Sequence, residues 1–347
     1  MDEFLELRVL EKNAHLVFGP AEGTKMPSGF IRKVVIRTDD SRLPMISQLR
    51  RELHARNEML FAGWHFIRKY SSTELEAAEL FHMQITAVFE PAGEECGTVY
   101  DWSVGCPVCG AGRVARDGLS LNLRKAPRSK DISRTIARDE WIVSQRLAEV
   151  LVDAGLTGLE LRPVRHLGAP ATVDCQSSVA GRELLQRAAA AGLKDGTAPF
   201  SVWLNREEQR DLLSAAMAAR SEAVAMRRHA TARTVPVWYQ LIITSPALRL
   251  SATTRFGSQP FDLGESREDV CPMGDTLGMG LISPAYIRHE QVVEHDFMRT
   301  AECSGTRRGI LVPHPEILIS PRAFRLLREH RIKGFEADVA YRDQSGR

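Results

Sequence analysis

The sequence predicts an α+β protein of two related lobes, and three observations predict it. Short apolar or β-branched runs, punctuated by Gly, Pro and Asp, alternate with a few amphipathic stretches of helical period. A motif, Cys106-Pro107-Val108-Cys109-Gly110, opens a strand–helix–strand pattern that runs to Val164. A weaker copy opens at Cys271-Pro272-Met273-Gly274-Asp275 and runs to Ala340. The chain divides accordingly into an N-terminal α+β region (1–95), a first Cys-Pro lobe (96–166), a helical connector (167–236) and a second, degenerate lobe (237–347).

The elements follow in order. Phe4–Leu10, His15–Gly19 and Arg32–Arg37 read as strands separated by turn residues. Leu43–Ala55 reads as a helix. Ser71–Phe81 reads as a second helix, with Thr73 and Glu76 spaced as a capping box. Met83–Phe89 is a strand ending in the turn Glu90-Pro91-Ala92-Gly93. Leu119–Leu123 alternates as a strand does. Trp141-Ile142-Val143 is a strand that stops at Ser144, a good N-cap. The helix after it sets Leu147, Val150, Leu151 and Ala154 on one face. Leu159–Pro163 is the returning strand. The connector holds an alanine run, Ala188–Ala191, and a long helical stretch from Asn205 to Arg228. Trp238–Ser245 returns to strand character.

An offset of 165 residues matches Cys271 to Cys106, Pro272 to Pro107, Asp296 to Asp131, Arg299 to Arg134 and Thr300 to Thr135. An 11-residue insertion then moves the offset to 176, which matches Ser320 to Ser144, Arg322 to Arg146, Leu327 to Leu151, Gly334 to Gly158 and Glu336 to Glu160. Pro321 falls at the first helical position, where proline is favoured. The shared order predicts a duplicated unit packed as pseudo-symmetric lobes.

Bulk numbers exclude several classes. The chain has 347 residues, 44% hydrophobic and 26% charged, ordinary values for a soluble globular protein. No window reaches the ~18 apolar residues of a membrane helix, so no membrane partner is expected. Asp2, Glu3 and Glu6 oppose the basic start of a signal peptide, and the expected compartment is the cytoplasm. A net charge of +2 sets up no global field for nucleic acid. The local exception is a basic tract from Arg113 to Arg138, holding Arg113, Arg116, Arg124, Lys125, Arg128, Lys130, Arg134 and Arg138 against Asp117 and Asp131. It contains no aromatic residue on which a base could stack.

Cys-x-x-Cys-Gly has the shape of a zinc knuckle. Two intervening residues let both thiolates reach one tetrahedral ion, and the glycine allows the tight turn around sulfur. A thioredoxin-type redox pair needs a helix starting at the motif, and Gly110-Ala111-Gly112 is poor helix material. Cys106 and Cys109 are therefore the expected Zn2+ ligands, with Cys96, ten residues upstream, as the third. His82, His166 and Cys271 compete for the fourth place. Cys109 aligns with Gly274, so the second copy reads as metal-free, with Cys271 and Asp275 a weaker pair. Cys175 and Cys303 read as ordinary residues. The histidines form no His-x-x-x-His pair, and no nucleophile elbow, P-loop or dinucleotide fingerprint occurs. No catalytic residue is assigned and the chain is read as a non-enzyme.

At Cys106-Pro-Val-Cys-Gly110, returning as Cys271-Pro-Met-Gly274, the chain resembles the myxobacterial double-CXXCG paralogous family. The resemblance covers about 106–164 and 271–340, and Trp141–Val164 shares the family's apolar strand, Ser-x-Arg, amphipathic helix and Gly-apolar-Glu. That family includes immunity proteins that protect a cell against a contact-delivered toxin of its own lineage. The resemblance implies a protein-binding module whose partner is a toxin, with Cys106, Cys109 and Cys271 as motif cysteines. The alternative expectation is a zinc-ribbon protein that meets nucleic acid through the tract 113–138.

Overall fold

The computed structural model describes residues 1–166, 237–257, 260–261, 270–278, 280–291, 293–305 and 311–343. The expected helical connector, 167–236, lies outside them, as does Cys175. The described chain is mixed α+β and mostly strand.

An antiparallel four-stranded sheet forms the N-terminal part, in the order Thr24–Lys25, Ile31–Arg37, Asp2–Leu10, Phe61–Lys69. Leu5, Leu7 and Val9 alternate onto one face of it and meet Val34 and Ile36, with Ile46 and Leu53 of the helix Leu43–Ala55 in the same core. The strand expected at His15–Gly19 is absent. A short helix, Glu11–Ala14, leads into a turn there. The N–H groups of Leu16, Val17 and Phe18 bond back to Asn13 and Ala14, so no ladder partner is needed, and Phe18 packs into the core. The second helix is shorter than expected, Ser72–Ala77, and its capping box uses Ser71 and Glu74 instead of Thr73 and Glu76. Leu80 and Phe81 belong instead to the strand Leu80–Ile85. That strand is covered on both faces, so its apolar residues show no alternation to separate them from a helical stripe.

Two five-stranded sheets build the rest. The first runs in the order Leu159–Pro163, Trp238–Ile243, Trp141–Ser144, Ile132–Thr135, Val88–Phe89. The second runs Tyr286–Ile287, Phe335–Arg342, Leu80–Ile85, His314–Ile319, Phe297–Ser304. Each therefore takes an inner strand from a distant part of the chain. Trp238–Ile243, at the start of the expected second lobe, lies between strands of the first. Leu80–Ile85, which precedes the first lobe, lies between strands of the second. The registers correspond. Ile142 faces Gln240 and Leu159 faces Ile243, while Leu318 faces His82 and Phe335 faces Ile85. The lobe strands differ by the offset of 176, and the exchanged strands by 158.

The contacts between the halves are reciprocal. Asp131 accepts from Arg146 (2.6 Å) and from the Lys333 N–H (2.9 Å); Asp296 accepts from Arg322 (3.1 Å) and from the Thr157 N–H (3.0 Å). The Gly334 carbonyl accepts from the N–H groups of Thr86 and Ala87, and the Gly158 carbonyl from those of Thr244 and Ser245. Both glycines have positive φ, +111° and +82°. A Cβ on Gly334 would meet the Ile132 oxygen at 2.1 Å, and one on Gly158 the Phe297 oxygen at 2.2 Å. A single core joins the sheets, with Phe81, Met83, Ile317 and Val339 from one and Ile132, Val143, Leu241 and Ile243 from the other. The helices Gln145–Asp153 and Pro321–Glu329 add Leu147, Leu151, Ala323 and Leu327 to it. Ser144 and Ser320 cap them, each accepting from the N–H three residues on.

Candidate metal centre

The Cys106 turn is closed by backbone bonds from Cys106 N–H to the Ala111 carbonyl (2.8 Å) and from Gly110 N–H to the Cys106 carbonyl (2.8 Å). The Cys109 N–H points at the Cys106 sulfur, 3.5 Å away. The turn at Cys271 closes over the same length, from Cys271 N–H to the Thr276 carbonyl (3.1 Å). Its internal geometry slides by one residue. The left-handed position is Gly110 in the first turn (φ +76°) but Gly274 in the second (φ +80°), one place earlier in the alignment. Asp275, the residue after this glycine, turns its carboxylate towards Cys271.

The two turns face one another. Cys106 Sγ lies 3.7 Å from Cys271 Sγ, and Cys271 Sγ lies 3.8 Å from Asp275 Oδ2. The donor atoms of Cys106, Cys109, Cys271 and Asp275 all fall within 4.8 Å of one another, close enough to hold a metal ion. Cys109 and Cys271 are buried, Cys106 and Asp275 half-buried. Thr276 Oγ1 lies 3.4 Å from Cys109 Sγ, and Cys303 packs beside the cluster. Burial, with the Asp275 carboxylate as acceptor, pushes the Cys106 thiol up to about 12. Burial does the same for Cys303. A cation among these donors would offset that penalty by stabilising thiolate.

Cys96 is not brought to this cluster. It ends the short 3-10 helix Gly93–Cys96, is fully buried, and bonds to the Asn122 backbone. Burial raises its thiol to about 12. His82 and His166 are also engaged elsewhere. His82 Nε2 meets Glu316 at 2.7 Å, and His166 Nδ1 accepts from the Leu123 N–H at 3.2 Å. Thr276 and the full part played by Asp275 escaped sequence reasoning. The signal was present as the equal lengths of 106–111 and 271–276 with the glycine displaced by one.

Three residues of the basic tract are spent inside the fold. Arg113 stacks over Tyr100 and Trp102, and burial lowers its affinity for a proton. Arg138 is buried and pairs with Glu94. Arg134 pairs with Asp139 at 2.6 Å. Glu140, beneath them, accepts from the Gly93 N–H and from the Tyr100 and Thr135 hydroxyls, while burial raises its carboxyl. Arg124, Lys125, Arg128 and Lys130 remain exposed.

No protein-family model, no curated protein and no solved structure matches this chain. Among the described residues no helix is long and apolar enough to cross a membrane.

Proposed function

We propose that the protein is a non-enzymatic binding protein whose two lobes, copies of one duplicated unit, are stapled together by a single structural zinc ion. The closed donor set carries this reading. Four protein donors satisfy a tetrahedral ion and leave no open position for water or substrate, the pattern of structural zinc. Two thiolates each about 2.3 Å from a tetrahedral ion sit roughly 3.8 Å apart, and the Cys106–Cys271 separation of 3.7 Å agrees with that. Three soft sulfur donors favour zinc over magnesium or calcium. Corresponding registers and reciprocal Asp131 and Asp296 contacts support the duplication. A staple of this kind makes the inter-lobe surface rigid, which lowers the cost of ordering it against a partner.

The partner is a protein, and the family resemblance favours a toxin. The test is affinity capture of the tagged protein from its native host at its own expression level, followed by identification of what is held, with zinc measured in the same sample. One zinc per chain and a toxin bound in stoichiometric amount support the reading. A zinc-free protein, or one that turns over a substrate, refutes it.

Four exposed cations, Arg124, Lys125, Arg128 and Lys130, keep a second reading in play, a nucleic-acid-associated protein. Retention on DNA or RNA that falls steeply with salt would support it, and no retention at low salt would end it.

A further inference from the structure

Glu316 occupies in the second lobe the place of Glu140 in the first, at the offset of 176. The backbone agrees. The Glu140 N–H donates to Thr135 Oγ1 (3.2 Å) and the Glu316 N–H to Thr300 Oγ1 (2.9 Å). The surroundings of the two carboxylates differ. Glu140 is sealed by the chain's own segment 93–100, which supplies the Gly93 N–H and the Tyr100 hydroxyl. Among the described residues, no such segment covers Glu316. In the sequence, the residue 165 places after Tyr100 is Glu265, which has no hydroxyl to offer. Glu316 instead accepts from His82 and Ser304 and lines a groove of about 710 Å³.

This groove lies where the N-terminal sheet, the second sheet and residues 134–141 meet, and Trp64, Phe66 and Trp141 help to wall it. Junctions of this kind are favoured places for ligands. Of its other carboxylates, Glu6 meets Lys33 and Asp139 meets Arg134, while the exposed Glu336 lies 4.0 Å from His65. Two of its nitrogens have no partner among the described residues, Arg68 Nη2 and His82 Nδ1. Both side chains are more than nine-tenths buried, at 2% and 3% exposure. A buried donor without a partner carries a desolvation cost that an incoming group can relieve.

We propose that the groove receives a tyrosine-bearing loop of the partner protein. The phenol hydroxyl donates to Glu316 as Tyr100 donates to Glu140, the ring lies against the aromatic wall, and a main-chain carbonyl of the loop accepts from Arg68 Nη2. The first lobe covers its carboxylate itself, and among the described residues of the second lobe no segment does the same for Glu316. This assignment rests on the protein-binding reading above.

The probes are N-acetyl-tyrosine amide and N-acetyl-phenylalanine amide, followed by saturation-transfer NMR on the full-length zinc-loaded protein. The tyrosine probe should bind about tenfold better, because a hydrogen bond to a charged acceptor separates them. Glu316→Gln should reduce that preference. Gly280→Phe should abolish binding of both probes; Gly280 lines the groove, a Cβ there meets nothing within 4 Å, and an unchanged melting curve is the check that the variant is folded. Equal signals from the two probes, no signal from either, or a tyrosine signal that survives Gly280→Phe overturns the assignment. The natural partner separates this inference from the broader one. If it binds Gly280→Phe at full strength, the groove is not its seat, although the protein remains a binding protein.

Discussion

Replacing Gly158 or Gly334 by alanine should damage the protein by an amount that reports directly on how the halves interlock. Two costs add. An L-residue held at positive φ costs about 1–2 kcal/mol. The new methyl must also move a backbone oxygen of the opposite lobe from 2.1 Å or 2.2 Å out to contact distance. That shift disturbs the bonds from Thr86 and Ala87 to Gly334, or from Thr244 and Ser245 to Gly158, at about 1 kcal/mol each. The sum is about 3–5 kcal/mol, a large share of the ~5–15 kcal/mol that holds a protein folded. Thermal unfolding followed by circular dichroism should show a fall of roughly 5 °C. Gly118→Ala is the control, since Gly118 has φ +86° and nothing near its would-be Cβ; it should lose about 1–2 kcal/mol only. Equal losses at all three positions would refute the close apposition, and unequal losses at Gly158 and Gly334 would refute its reciprocity.

Other expectations follow from the same geometry. Cys271→Ser should strip the metal as completely as Cys109→Ser does, although the two lie on different lobes; metal analysis after gel filtration reads this, and a full complement of zinc in Cys271→Ser would sink the shared site. Burial alone would raise the Glu316 carboxyl, but the His82 and Ser304 hydrogen bonds and the nearby His314 overcome it and hold the group at about 2 against an ordinary 4.5. A depressed folded value means the stabilisation is whole above pH 4.5 and drains away as pH falls towards 2, an effect of order 3 kcal/mol. Acid denaturation of Glu316→Gln should therefore have a shallower slope in that window, and identical slopes would argue against the pair. A fragment of residues 237–347 lacks Leu80–Ile85 and should show no cooperative unfolding, while co-expression with residues 1–166 should yield a soluble complex. A fragment that melts cooperatively alone would contradict the exchange of strands.

The local pieces of the fold were legible in the sequence. Leu43–Ala55, the caps at Ser144 and Ser320 and the buried faces of the two lobe helices all follow from period and capping chemistry, which act over a few residues. What the sequence hid is non-local. Leu80–Ile85 and Trp238–Ile243 share only their final isoleucine, because an inner strand needs apolar bulk on both faces and many residues supply it. Nothing in either strand tells which sheet will take it. The cluster of Cys106, Cys109, Cys271 and Asp275 was half legible. Cys106 and Cys109 announce themselves by spacing, and Cys271 stood among the candidates. Asp275 depends on where a left-handed residue falls within a turn, and Cys96 was favoured because nearness in sequence stood in for nearness in space. Arg113, Arg134 and Arg138 are counted in one basic tract for a similar reason: a run of charges does not reveal which of them the fold will take inside.

The exchange of inner strands sets a timetable for the ribosome. Leu80–Ile85 leaves the exit tunnel long before its neighbours His314–Ile319 and Phe335–Arg342 are made. The first sheet likewise waits for Trp238–Ile243. The first sheet has all its strands once Ile243 is made, whereas the second needs residues up to Arg342, and the turn at Cys106 has no counterpart until Cys271 arrives. Apolar strand edges are exposed in each interval. Contacts this distant in sequence form slowly and aggregate readily, so yield during expression should depend more on chaperone supply and temperature than on the stability of the finished protein.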